Sequence, residues 1–324
     1  MLMKKAFIVG LNDYPNCELN WCDNDAIEIA SLIGSNGDGS PNFDVKLITD
    51  TCSKDDLQSN IQALFADDAE IALLYFSGHG ADKDGGYLVS TDFNNSCYGV
   101  RMTDILQWAN DSRCRNKVII LDCCFSGQMG ESLLVNNNSV LGEGVTIMAA
   151  SRPWQTSMED PSIQHGIFTD LIIQGLKGGA ADIGGNITPA SLYSFVDQSL
   201  GAWQQRPIFK TNISQFLPIR TINAKVPKAI LRKISQYFMS PTDEYKLDPS
   251  YEFTNDPSVE HNVMEPYADQ EKVSIFKELQ LFESVGLIEP VGTEHMYFAA
   301  MESKSCRLTA LGLHYWKLSK DRRF

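Results

Sequence analysis

The chain has 324 residues, 43% of them apolar and 10% aromatic, which exceeds one typical domain and provides core-forming side chains enough for two. Its formal net charge of −14 disfavours nucleic-acid phosphate as a partner and favours basic substrates. The charge is uneven, with 14 Lys/Arg against 26 Asp/Glu in residues 1–224 and 13 against 15 in residues 225–324.

Met1-Leu2-Met3-Lys4-Lys5 leads into only six residues of apolar character, Ala6 to Leu11, which is too short for a signal peptide. No stretch is long enough to span a bilayer, so a cytoplasmic protein is expected. In that compartment the eight cysteines read as reduced thiols, and they contain no Cys-x-x-Cys pair, so no metal centre is expected.

Ala6 to Gly10 predicts a strand, and Asp23 to Ile33 a helix with apolar Ala26, Ile27, Ile29, Ala30 and Ile33, stopped by Gly34. Val45 to Thr49 predicts a second strand, and Ser53-x-x-Asp56 opens a helix through Phe65. A third strand ends in Ser77-Gly78-His79-Gly80. A hairpin is expected near Tyr87 to Ser90 and a helix from Thr103 to Asn110. A fourth strand ends in Asp122-Cys123-Cys124-Phe125-Ser126-Gly127, and Val145 to Ala150 predicts a fifth. Helices fit Ile167 to Leu176 and Pro189 to Leu200, the latter with Thr188 as cap and Pro189 at its first position. Strands alternating with helices predict an α/β domain with a mostly parallel sheet. The His79 and Cys124 strands are expected side by side, with their carboxyl ends on one edge.

The pattern changes near Thr221 to Pro227. A helix is expected at Ala229 to Phe238, a partly ordered excursion from Ser240 to Pro266, and a helix from Tyr267 to Ser284 closed by Gly286. Two short strands, Leu287 to Val291 and His295 to Met301, then precede Leu308-Thr309-Ala310-Leu311-Gly312 and a last helix. This order is similar to winged-helix domains. The helix that would read DNA carries Lys272 and Lys277 against Glu271, Glu278 and Glu283, so protein contact or autoregulation is favoured over nucleic acid.

Two reactive side chains at the ends of adjacent strands make a nucleophile and base pair, since an imidazole beside a thiol stabilises the thiolate. Cys123 or Cys124 is the expected nucleophile and His79 its base. Cys123 and Cys124 point to opposite faces by strand alternation, so only one can meet the histidine.

The pattern resembles the caspase-like peptidases, most closely their metacaspase and bacterial relatives, in which Ser-Gly-His-Gly precedes Asp-x-Cys-x-Ser-Gly by about 50 residues. Looser matches follow the same order over the first 220 residues or so: Tyr14 to Leu19 with Cys22-Asp23-Asn24-Asp25-Ala26, Gly86-Tyr87-Leu88-Val89, Gly166-Ile167-Phe168-Thr169, and Gly175 to Asp182. The resemblance implies a caspase-like peptidase domain over 1–222, followed by a winged-helix-like regulatory or docking domain over 223–324. It implies Cys124 as nucleophile, the N–H groups of Gly80 and Cys124 as oxyanion hole, and Asp25, Ser77 and Asp122 as an acidic pocket for Arg or Lys before the cut. Trp154 is a candidate cleft wall, or a core residue. The alternative reading of Asp25 and Asp122 is that they cap backbone, and His165 reads as a surface or capping residue. No cofactor is expected, although the family makes calcium a candidate activator and Asp82, Asp84 and Asp92 candidate ligands.

Relatives often cut themselves at a basic residue after the nucleophile strand, whereas Phe125 to Ser151 holds no Lys or Arg. Activation by a ligand, a partner protein or the C-terminal domain is therefore expected. Similar bacterial proteases act in stress and antiviral defence. The competing readings are a catalytically silent scaffold and a regulator acting through the winged-helix-like region.

Overall fold

The computed structural model describes residues 3–81, 86–94, 97–123, 140–150, 159–160, 164–200, 207–215, 217–258 and 263–324. By its internal contacts the chain divides into a unit of residues 1–223 and a unit of residues 224–324.

The first unit alternates strands and helices: β1 (Lys4–Gly10), α1 (Cys22–Gly34), β2 (Asp44–Thr49), α2 (Lys54–Ala66), β3 (Ile71–Ser77) and the short β4 (Gly80–Ala81). A hairpin of β5 (Tyr87–Asn94) and β6 (Cys97–Arg101) leads to α3 (Met102–Asp111), β7 (Asn116–Asp122) and β8 (Val145–Ala149). Then come β9 (Glu159–Asp160), β10 (His165–Gly166), α4 (Ile167–Gln174), β11 (Asn186–Ile187), α5 (Pro189–Ser199), β12 (Ile208–Asn212) and β13 (Arg220–Thr221). The central sheet runs β12-β8-β7-β3-β1-β2 and is parallel except for β12. Ser53 accepts from the Asp56 N–H, and Thr188 with Ser191 closes a full capping box, so both expected helix starts are present.

The inner strands β3 and β7 are buried along their whole length, which is why they read as continuous apolar runs. Alternation still sorts their side chains. Phe7, Val9, Leu74, Phe76, Ile119 and Leu121 pack with Leu57 and Ile61 of α2 and Ile105 of α3. Ala6, Ile8, Leu73, Tyr75, Val118 and Ile120 pack on the opposite face with Ile29 of α1, Ile172 of α4 and Leu192 of α5. Strand β3 pairs with β7 in a register that sets Ser77 opposite Asp122, both on the α1/α4 face by the same alternation.

The second unit holds α6 (Lys228–Leu231), α7 (Ile234–Tyr237), β14 (Glu244–Lys246), α8 (Gln270–Ser284), β15 (Ile288–Val291), α9 (Met296–Met301), β16 (Ser305–Leu308) and α10 (Ala310–Lys320). Its sheet is antiparallel in the order β14-β16-β15. Residues 296–301 form a helix instead of the expected strand. Met296, Ala299 and Ala300 fall on one helical face and are buried there, and alanine favours the helix. The expected helix over 229–238 is two short pieces. The excursion after Ser240 is tied down by Asn255, fully buried, whose amide donates to the carbonyls of Pro249, Met264 and Pro266. Among the described residues no helix is long and apolar enough to cross a membrane.

Candidate active site

The parallel β3–β7 pair carries two of the sequence-predicted site residues to the same sheet edge. Just past β3, the N–H of Gly78 donates to the Asp122 carbonyl at 3.3 Å, which extends the pairing up to His79. The Gly78 site has no room for a Cβ: it would lie 2.5 Å from the Tyr14 hydroxyl. That glycine therefore admits Tyr14, a neighbour in the chain's own fold.

Tyr14 holds the histidine. Its hydroxyl accepts from the His79 N–H at 3.1 Å and donates to the Val89 carbonyl at 3.1 Å, and its ring stands edge-on to the imidazole at 4.6 Å. Burial raises the phenol pKa well above the ordinary value, so the proton that bonds Val89 stays in place. The imidazole Nε2 lies 2.7 Å from the Cys17 carbonyl oxygen. A carbonyl only accepts, so Nε2 carries the proton and Nδ1 of the neutral ring is the free base. Replacing Tyr14 by phenylalanine strands a half-buried N–H and a buried C=O. We expect a loss of roughly 2 kcal/mol in stability, checked by urea unfolding, and a fall in kcat larger than any rise in KM.

Cys124 and Trp154 lie outside the described residues, as do Asp82 and Asp84. Cys123 is 1% exposed and packs in the core with Leu121, on the α2/α3 face. Burial pushes the Cys52 thiol up to about 11 and the Cys306 thiol to about 12, so both are thiols at neutral pH and poor nucleophiles. Cys17 is exposed. Asp92 accepts from the Lys54 N–H at 2.9 Å and from Ser90 Oγ at 2.7 Å, which engages its carboxylate at the start of α2. Gly80 opens β4, opposite Leu88 of β5.

Asp25, Ser77 and Asp122 come together as a buried cluster, at 2%, 2% and 6% exposure. Ser77 Oγ donates to Asp25 Oδ2 at 2.9 Å. Asp122 Oδ2 accepts from Thr169 Oγ1 of α4 at 2.7 Å, and that hydroxyl is 2.6 Å from the Tyr75 hydroxyl. A methyl at Gly166 would lie 2.5 Å from Asp122 Oδ2 and 3.5 Å from Asp25 Oδ2, so both carboxylates pack against a position that only glycine can occupy. Sequence reading missed Tyr14 and Thr169, although both stand in segments matching the family pattern. It also misplaced His165, whose Nδ1 is 2.8 Å from Asp25 Oδ1. That side chain is 20% exposed and its ring is bonded to the buried Asp25 carboxylate.

A caspase-domain family model matches residues 3–217. Caspase-1 from Spodoptera frugiperda has a similar fold, with a TM-score of 0.51 at 13% identity over 68% of this chain and 91% of that one. A protein of Geobacter sulfurreducens aligns over 68% of this chain and all of its own, at 17% identity and a TM-score of 0.48. No curated protein matches this sequence.

Proposed function

Because the chain belongs to the caspase-domain family of cysteine peptidases, we propose that it cleaves protein substrates after arginine or lysine through a Cys124–His79 dyad. The observation that carries this reading is the pair of buried carboxylates, Asp25 and Asp122, packed against the same residue, Gly166. A guanidinium brings several donors to such a pair, while an aspartate side chain would be repelled. The core burial of Cys123 supports Cys124 as the thiol.

In the reaction, the Cys124 proton passes to His79 Nδ1 and the thiolate attacks the scissile carbonyl carbon. The oxyanion that forms accepts from the N–H groups of Gly80 and Cys124, a contribution of roughly 10²- to 10³-fold per donor. Collapse breaks the C–N bond, and the leaving amine takes the proton back from the imidazolium. Water then hydrolyses the thioester with His79 again as base. The Cys17 carbonyl keeps the ring turned with Nδ1 free throughout.

The C-terminal unit acts in regulation or docking. The cations of α8 are occupied within it: Lys272 bonds Asp248 and Ser250, and Lys277 lies over the Phe253 ring, which leaves little for phosphate. Without Lys or Arg between Phe125 and Ser151, activation proceeds by a ligand or partner and not by a cut there.

Matched fluorogenic peptides ending in Arg and in Asp, assayed with and without calcium, test the specificity. Release from the Arg peptide alone is expected. Cleavage of the Asp peptide would overturn the assignment of the acidic pocket.

A further inference from the structure

Asp25 is held by the segment that enters α4, 140 residues away in sequence. Its Oδ1 meets His165 Nδ1 at 2.8 Å and accepts from the Gly166 N–H at 3.3 Å, while Oδ2 accepts from Ser77. One residue earlier, the Asn24 amide donates to the Gln164 carbonyl at 3.3 Å. Gln164 has a φ of 57°, in the left-handed region that non-glycine residues occupy at a cost. The first turn of α1 thus grips residues 164–166 at three points and keeps a strained turn that delivers the imidazole to the pocket. The histidine side chain is 20% exposed and the aspartate 2%, so the contact is largely shielded from solvent.

A carboxylate can turn about its χ2 torsion unless its oxygens are separately bonded. With Ser77 on one oxygen and His165 and Gly166 on the other, the plane of Asp25 is set. Orientation matters unequally to the two basic side chains. A guanidinium is a planar fork whose paired N–H groups need fixed acceptors, whereas an ammonium is a point charge with three rotatable donors.

We propose that His165 is a positioning residue that sets the plane of Asp25 and thereby makes the pocket prefer arginine over lysine. The proposal rests on the acidic-pocket reading above. It assigns His165 no contact with the scissile bond and no part in proton transfer.

The test compares kcat and KM on two peptides identical but for Arg or Lys before the cut, using the full chain as wild type, His165→Ala and His165→Asn. Asparagine keeps an N–H donor near the position of Nδ1. Removing one hydrogen bond to a charged group is expected to lower kcat/KM for the Arg peptide roughly tenfold or more, mainly through KM, with the Lys peptide much less affected. The asparagine variant is expected to recover the Arg preference. Thermal midpoints measured alongside separate this from loosening of the fold, which would lower both peptides together. Equal losses for Arg and Lys, or an asparagine variant as indiscriminate as alanine, would overturn the role of His165 while leaving the acidic pocket standing. A wild type that cleaves neither basic peptide but cleaves after another residue would overturn the pocket itself.

Discussion

Replacing Cys124 by alanine is expected to lower kcat on an Arg-ending peptide by about 10⁴-fold or more, with KM nearly unchanged, because in the proposed reaction the thiolate forms the covalent intermediate but does not hold the substrate's basic side chain. His79→Ala is expected to cost a similar factor, and the double variant little beyond either single one, since nucleophile and base act as a unit. Cys123→Ala provides the contrast. Its thiol is 1% exposed within the core, so that substitution should lower the thermal midpoint while leaving turnover by the folded protein near wild type. Steady-state kinetics with a Cys123→Ala protein that had lost turnover, and a Cys124→Ala protein that had kept it, would reverse the assignment of the nucleophile.

The second large effect concerns the carboxylates. Asp122→Asn keeps the shape and can still accept from Thr169 Oγ1, but it removes the charge that a guanidinium would meet. Truncating one partner of a buried hydrogen-bonded charge pair costs about 3 kcal/mol or more, which corresponds to roughly 10²-fold or greater loss of kcat/KM on the Arg peptide. Asp25→Asn is expected to act in the same direction. It also puts an amide where Oδ1 and Oδ2 now take donors from His165, Gly166 and Ser77, so some loss of stability should accompany it. A peptide with a neutral residue before the cut should be almost insensitive to Asp122→Asn. If its cleavage falls as far as that of the Arg peptide, Asp122 supports the sheet edge and does not read the substrate.

These expectations draw on features of very different legibility. The strand ending at Ser77 and the strand ending at Asp122 are apolar runs stopped by glycine or by polar residues, and a parallel sheet buried on both faces produces that signal. From it followed the pairing of the two strands and the common edge for Ser77 and Asp122. The helix caps at Ser53 and Thr188 were readable because capping depends on residues three positions apart. Strand β12 was missed: Ile208 to Asn212 is short, half polar and antiparallel to β8, and it carries too few apolar residues to rise above a loop. The error over 296–301 arose because a short apolar run has no periodicity that separates strand from helix.

The amino-acid sequence by itself determined the α/β order of elements, the family, and the residues bearing reactive or charged groups at strand ends, because each is encoded locally by apolar runs, caps and motif spacing. Only the tertiary structure decided what holds them. Tyr14 reaches His79 across 65 residues, and His165 reaches Asp25 across 140. The packing of α1 and α4 on one face of the sheet brings Asp25, Thr169 and Asp122 to a single glycine. Such contacts depend on how helices seat on a twisted sheet. That seating is a property of the whole core, with no signature in any one segment.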